Sequence, residues 1–197
     1  MRAIVVTLVV LCVVAGVRAC ARRPLEQPAG LLAPEAPRQS DPLDRSPVTL
    51  AGFELTPLAD FSLEARVLSR HDYTFDAASA LAPIDLALGW GRMSDSAVLD
   101  RLDITQSARF YSWRWKDQPP LPPAEIVRSS ANMHLIPADA GVARDLDRVR
   151  VGMVVALRGR LVEANRADGW HWRSSLTRED SGAGACELVL VDAIDGR

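Results

Sequence analysis

Apolar residues recur at every second position through much of residues 149–194, the stretch around which the chain is organised. This spacing places five of them on one face of an extended chain: Val151, Met153, Val155, Leu157 and Leu161. Gly159 interrupts the pattern, which is typical of a bulge or of a second backbone passing closely. A polar turn over 165–169 precedes renewed alternation from Trp170. The pattern predicts a long strand, a hairpin and a last strand from Cys186.

Short helices and strands alternate in the preceding hundred residues. Alternation over 61–67 predicts a strand with one buried face, and residues 105–115 predict another. Pro83 predicts a helix that ends at Gly91, and Ser94 or Asp95 can cap a second one through Leu102. Two further helices are predicted, one from Pro123 through Ser129 or Ser130 and one over 140–149 after Asp139.

Strands interrupted by short helices favour the α+β class, as a small antiparallel, OB-like β-barrel or curled sheet with short flanking helices. Residues 151–161 carry a glycine before an apolar run and a second glycine within it. This segment resembles the opening strand of oligonucleotide-binding-type barrels. The resemblance implies a barrel in the C-terminal half.

The first 21 residues predict a signal peptide or membrane anchor. A basic start is followed by fifteen residues, 3–17, in which Thr7 is the only hydroxyl-bearing side chain. Residues 17–20 resemble the bacterial lipobox, although Arg18 departs from its pattern. The resemblance implies lipidation at Cys20. Residues 22–48 hold six of the thirteen prolines and predict a semi-extended linker. Residues 49–197 are expected to form a single globular α+β domain.

Charge and location limit the partners. Residues 24–197 carry 19 basic and 25 acidic side chains, so nucleic acid is not an expected partner. The leader predicts a cell-envelope location, either anchored in the inner membrane with the domain on the periplasmic side, or exported as a free protein or lipoprotein. The segments 130–138, 172–178 and 182–187 resemble a group of uncharacterised Gram-negative envelope proteins. That resemblance implies location and shared architecture only.

Aromatic and cationic residues on the predicted strands form the candidate binding surface. Their expected ligand is a sugar ring, a peptide or a nucleobase. The set consists of Arg109, Tyr111, Trp113, Trp115, Trp170, Trp172 and Arg173.

The candidate catalytic residues are Cys186 as the nucleophile and His134 or His171 as its base. Against it, Cys186 lies in an apolar strand, where a lone thiol is usually a small buried hydrophobe. Ser174 and Ser175 lack the Gly-x-Ser-x-Gly turn of a hydrolase nucleophile. The three histidines lack metal-ligand spacing, and no cofactor motif is present.

The sequence therefore favours a non-enzymatic, membrane-tethered binding module that recognises an envelope protein or glycan. Two alternatives stay open. One is a cysteine- or serine-dependent hydrolase that uses Cys186 and a histidine. The other is an OB-like protein that binds single-stranded nucleic acid.

Overall fold

The computed structural model describes residues 23–182 and 184–197. The predicted leader and Cys20 lie outside these residues. Among the residues described, no helix is long and apolar enough to cross a membrane. The strands are β1 Arg38–Ser40, β2 Val48–Leu50, β3 Phe53–Asp72, β4 Ile84–Gly89, β5 Asp103–Ser107, β6 Phe110–Arg114, β7 Ser130–Pro137, β8 Val154–Asn165, β9 His171–Arg173 and β10 Glu187–Gly196. The helices are α1 Ser96–Leu99, α2 Pro123–Arg128 and α3 Ala140–Arg148, with a 3₁₀ turn over Gly91–Ser94.

The main sheet curls around the twenty-residue strand β3. Strand β3 pairs with β8 through residues 54–66 and with β4 through residues 66–72, both antiparallel. Strand β4 pairs with β7, β7 runs parallel to β10, and β10 pairs with β8. Strands β1, β2 and β9 add to this sheet, while β5 and β6 form a separate hairpin. The predicted α+β class and curled sheet with short flanking helices are confirmed.

The largest core cluster packs the sheet against α3. Strand β3 contributes its alternating residues, including Phe61 and Val67, as the sequence predicts. Helix α3 contributes Val142 and Leu146, and it begins where the carboxylate of Asp139 accepts hydrogen bonds from two backbone amides. A second cluster lies on the opposite face of β10, because the adjacent residues of that strand alternate between the two clusters.

Two predicted elements differ from the observed ones. Residues 84–89 form strand β4 and not a helix, because this strand is buried on both faces and its apolar run shows no alternation. Residues 103–114 form a hairpin and not one strand. Its turn lies at Ala108 and Arg109, whose φ angles are 49° and 68°. Neither residue type signals such a turn, so the sequence pattern does not reveal it.

The proline-rich segment lies against the folded body. The amide of Leu25 donates to the carbonyl of Val151 at 2.8 Å. The amide of Ala33, a fully buried residue, donates to Oγ of Ser94 at 3.1 Å, and β1 pairs with β3. Proline lacks the N–H donor, but the residues between the prolines supply it. These contacts attach residues 25–40 to the domain.

Gly159 of β8 lies against the backbone of β10. A Cβ atom added at Gly159 would lie 2.1 Å from the carbonyl oxygen of Leu190. The register of β10 shifts beside it, between Val191 and Ala193. The predicted close approach of a second backbone is therefore confirmed.

We expect Gly159→Ala to lower the free energy of unfolding by several kcal/mol, because the new methyl group displaces the backbone of β10. Urea denaturation measures this change. Ala156→Ser, on the exposed face of the same strand, is the control and should change stability by less than about 0.5 kcal/mol. Equal stability of the Gly159 variant and the wild type would contradict the close approach.

Candidate functional site

Four parts of the chain meet at a cleft of about 420 Å³, which we call the aromatic cleft. They are the loop of residues 73–83, the turn of the β5–β6 hairpin, strand β7 and the segment 166–186. The lining includes Asp76, Phe110, His134, Trp170, Trp172 and Cys186. The cleft therefore combines half-buried aromatic rings with a few polar groups, as small-molecule sites commonly do.

Arg109 holds these parts together. Its Nε and Nη2 atoms donate to the carboxylate of Asp76 at 2.7 and 2.8 Å. Its Nη1 atom donates to Oδ1 of Asp85 and to the carbonyl of Ala82, both at 2.8 Å. The guanidinium carbon lies 3.6 Å from the centre of the Tyr73 ring. One side chain thus joins the hairpin turn to strand β4 and to the loop that precedes it.

Two carboxylates surround the one guanidinium of this cluster. Burial alone would lower the pKa of Arg109, but the hydrogen bonds and charges of Asp76 and Asp85 outweigh burial and raise it. The hydrogen bond from Arg109 in turn lowers the pKa of Asp76. The arginine is consequently ionised and already partnered, and it presents no unpaired cation to a ligand.

His134 and Trp172 form the floor of the cleft. The residue opposite His134 on the neighbouring strand is Asp85, which is fully buried. Nδ1 of His134 lies 2.9 Å from Oδ1 of Asp85, although the two groups are not aligned for a hydrogen bond. The ring centre of Trp172 lies 4.4 Å from that of His134, and 6.0 Å from that of Trp170 at nearly a right angle. These rings pack as a continuous aromatic surface.

Cys186 lies in the same cleft, but its surroundings keep it neutral. Burial raises the pKa of the Cys186 thiol to about 11. Its sulfur lies 3.8 Å from the carbonyl oxygen of Arg109 and 3.9 Å from the amide nitrogen of Asn132. Within the described part of the chain, no hydrogen bond joins Cys186 to a histidine, and His171 bonds instead to Glu163 at 2.7 Å.

The predicted binding residues are divided among different places. Arg109, Trp170 and Trp172 meet in the aromatic cleft. Tyr111 and Trp113 pack against a third core cluster, and Trp115 stacks on Trp113 with ring centres 5.6 Å apart. Arg173 is exposed and forms an ion pair with Glu163.

Four residues of the site were not predicted from the sequence: Asp76 and Phe110 line the cleft, and Tyr73 and Asp85 contact Arg109. Asp85 carried a usable signal, because it is the only charged residue in the apolar run 84–89. A carboxylate in such a run requires a partner when it is buried. Nothing in the local sequence identifies Arg109 as that partner.

A second, smaller cavity of about 150 Å³ lies beside the aromatic cleft, and we call it the Cys186 cavity. Phe110 and Cys186 line both spaces. Glu187 lines only the Cys186 cavity, and 1% of its surface is exposed. Its Oε1 atom lies 2.8 Å from Nε of Arg178. Burial raises the pKa of Glu187 to about 7, and the charge of Arg178 opposes that rise only in part.

Comparison with known protein families, with characterised proteins and with solved structures finds no match to this chain. Among residues 23–182 and 184–197, no group of three histidine, cysteine or carboxylate side chains has the arrangement of a metal site. The segments 130–138, 172–178 and 182–187 each contribute residues to the wall of the Cys186 cavity.

We expect Glu187 to make stability depend on pH. The folded protein binds its proton with a pKa of about 7 and the unfolded chain with one near 4.5, so between these values the folded state holds more protons. Stability should therefore fall as pH rises from 4.5 to 7, by about 3 kcal/mol for this group. Urea denaturation of wild type and Glu187→Gln at pH 4.5 and 8 measures the difference.

Glu163→Gln is the matched control. The hydrogen bond from His171 lowers the pKa of Glu163, so its contribution has the opposite sign. If the free energy of unfolding changes by the same amount between pH 4.5 and 8 in the Glu187→Gln variant and in the wild type, the raised pKa is contradicted.

Proposed function

We propose that this chain is a non-enzymatic binding module of the bacterial cell envelope, whose aromatic cleft holds a sugar ring of a glycan. The observation that carries the proposal is the meeting of Trp170, Trp172 and Phe110 beside polar groups. Phe110 is 49% exposed, and both indoles are half-buried. A sugar ring packs its C–H face on aromatic rings while its hydroxyl groups bond to nearby polar atoms, and this cleft offers both.

The order of the strands supports the same position for the ligand site. We propose that β3, β4, β7, β8 and β10 form an oligonucleotide-binding-type barrel, which is a five-stranded, partly open Greek-key barrel. Such barrels bind oligonucleotides and oligosaccharides on the face of the second and third strands, between the first and the last loop. Here these strands are β4 and β7, and the loops are residues 73–83 and 166–186. The aromatic cleft lies among these elements.

Charge favours a glycan over a nucleic acid. The chain from residue 24 onward has six more acidic than basic side chains. The cation in the cleft, Arg109, is already bound to Asp76 and Asp85, so a phosphate would compete with two carboxylates. A neutral ligand meets no such competition. The predicted leader supports an envelope location, where glycans are abundant.

The hydrolase alternative receives less support. A thiol with a pKa of about 11 is almost wholly protonated at neutral pH, and its nearest polar neighbours are an amide and a carbonyl. Glycoside hydrolysis ordinarily needs two carboxyl groups facing the scissile bond. Asp76 is the one carboxylate among the described lining residues of the aromatic cleft.

We expect Trp172→Ala to weaken binding of envelope oligosaccharides roughly tenfold, because a ring contact worth about 1.4 kcal/mol is lost. Isothermal titration calorimetry measures the affinity, and circular dichroism checks the fold. Trp172→Phe should retain part of the affinity. Trp115→Ala is the matched control, since Trp115 is also half-buried but lies outside the cleft. Equal binding by the Trp172 and Trp115 alanine variants, or no glycan binding by the wild type, would refute the proposed site.

A further inference from the structure

His134 is the one buried residue among the described residues that line the aromatic cleft, with 2% of its surface exposed. It lies in the middle of β7, where its neighbours Met133 and Leu135 belong to the largest core cluster. Side chains alternate along a strand, so His134 points to the opposite face, on which the cleft lies. A polar side chain that is almost fully buried is expected to have hydrogen-bond partners.

Neither ring nitrogen of His134 forms a hydrogen bond within the part of the chain that the structure describes. Nδ1 is closed to solvent and lies 2.9 Å from Oδ1 of Asp85. Nε2 also lacks a partner there, but it is not closed, and it faces the cleft that His134 lines. The ring thus presents one nitrogen to a carboxylate and the other to the space in which a ligand binds.

The carboxylate of Asp85 determines which nitrogen of His134 carries the proton. A neutral imidazole has one N–H donor and one acceptor nitrogen. A lone pair on Nδ1 would face an anionic oxygen at 2.9 Å and be repelled, whereas a proton on Nδ1 is attracted to that oxygen even without the alignment of a hydrogen bond. Nε2 of the neutral ring is consequently the acceptor, and its lone pair is directed at the cleft.

The charged side chains of the cleft already have protein partners. The carboxylate of Asp76 accepts hydrogen bonds from Nε and Nη2 of Arg109 at 2.7 and 2.8 Å. Nε2 of His171, the other histidine that lines the cleft, lies 2.7 Å from the carboxylate of Glu163. Nε2 of His134 differs from these groups, because it is an unpartnered acceptor on a buried side chain that cannot move to find another partner.

On the basis of the proposed glycan-binding function, we infer that Nε2 of His134 accepts a hydrogen bond from one hydroxyl group of the bound sugar and thereby selects which sugars bind. The ring centre of Trp172 lies 4.4 Å from that of His134, so a pyranose packed on the indole has its edge beside Nε2. Because His134 is almost fully buried, Nε2 is reached from the cleft side alone, by a hydroxyl at one position of the pyranose. A neutral sugar that lacks this hydroxyl leaves the acceptor unpaired and binds more weakly.

Methyl pyranosides that differ by single hydroxyl groups test the inference on the full chain. The methyl β-glycosides of glucose, galactose and mannose are compared first, and the one that binds most tightly is the parent. Each of its monodeoxy analogues lacks one hydroxyl group. Titrations followed by tryptophan fluorescence should reveal one analogue that binds about fivefold more weakly than the parent, the ratio that corresponds to one neutral hydrogen bond of about 1 kcal/mol.

Two substitutions of His134 separate Nε2 from the rest of the ring. The shorter amide of His134→Asn reaches the position of Nδ1 but not that of Nε2, so the difference between analogue and parent should fall below about twofold. The amide of His134→Gln reaches the position of Nε2 and should keep most of the difference. His171→Asn is the matched control and should keep all of it, because Nε2 of His171 is bonded to Glu163. Circular dichroism checks the fold of each variant.

The outcomes separate the two proposals. If Trp172→Ala weakens binding but every analogue binds the wild type as tightly as the parent, the role of Nε2 is overturned and the glycan function stands. A difference that persists in His134→Asn has the same meaning. Loss of the difference in both His134 variants would attribute it to the imidazole ring as a whole and overturn the hydrogen bond. Binding of none of the pyranosides would overturn both proposals, because the cleft is proposed to hold a single ring.

Discussion

The buried ion pair between Arg109 and Asp85 is the interaction on which the site depends. Asp85, the second residue of β4, is fully buried, and an unpaired carboxylate there costs several kcal/mol. Arg109 supplies the opposite charge from a hairpin turn whose left-handed backbone costs about 1–2 kcal/mol at each of its two residues. The same guanidinium binds Asp76 and the carbonyl of Ala82. One side chain thus joins the hairpin to the sheet and to the loop before β4.

This arrangement determines what the cleft can do chemically. Its arginine is bound by two aspartates, its thiol is held neutral by burial, and its lining includes Phe110, Trp170 and Trp172. Such a site suits an uncharged ring better than a phosphate, and it lacks an activated nucleophile. In the neighbouring cavity the polar groups of Glu187 and Arg178 are only partly satisfied. Among the described residues, Oε2 of Glu187 and the Nε and Nη2 atoms of Arg178 have no hydrogen-bond partner beside the aromatic surface.

The alternation of apolar and polar residues predicted the strand around Phe61, which has one buried face. The capping residue Asp139 predicted the helix that follows it, and the interruption at Gly159 predicted the close approach of a second backbone. The pattern failed at β4, and β7 was not predicted, because most residues of both strands are buried and neither alternates. These two strands carry Asp85 and His134, so the centre of the site lay where periodicity is least informative. The residues of the predicted binding surface lie in different places because the turn at Arg109 reverses the chain. That turn depends on a distant aspartate.

The most direct test of the ion pair is the free energy of unfolding in urea for wild type, Asp85→Asn, Arg109→Gln and the double variant. Arg109→Gln leaves a buried carboxylate without its main partner and should cost about 3–5 kcal/mol. We expect Asp85→Asn to destabilise the wild type but to stabilise the Arg109→Gln background, because there it removes an uncompensated charge. If Asp85→Asn lowers stability by the same amount in both backgrounds, the two residues are not coupled and the ion pair does not organise the site.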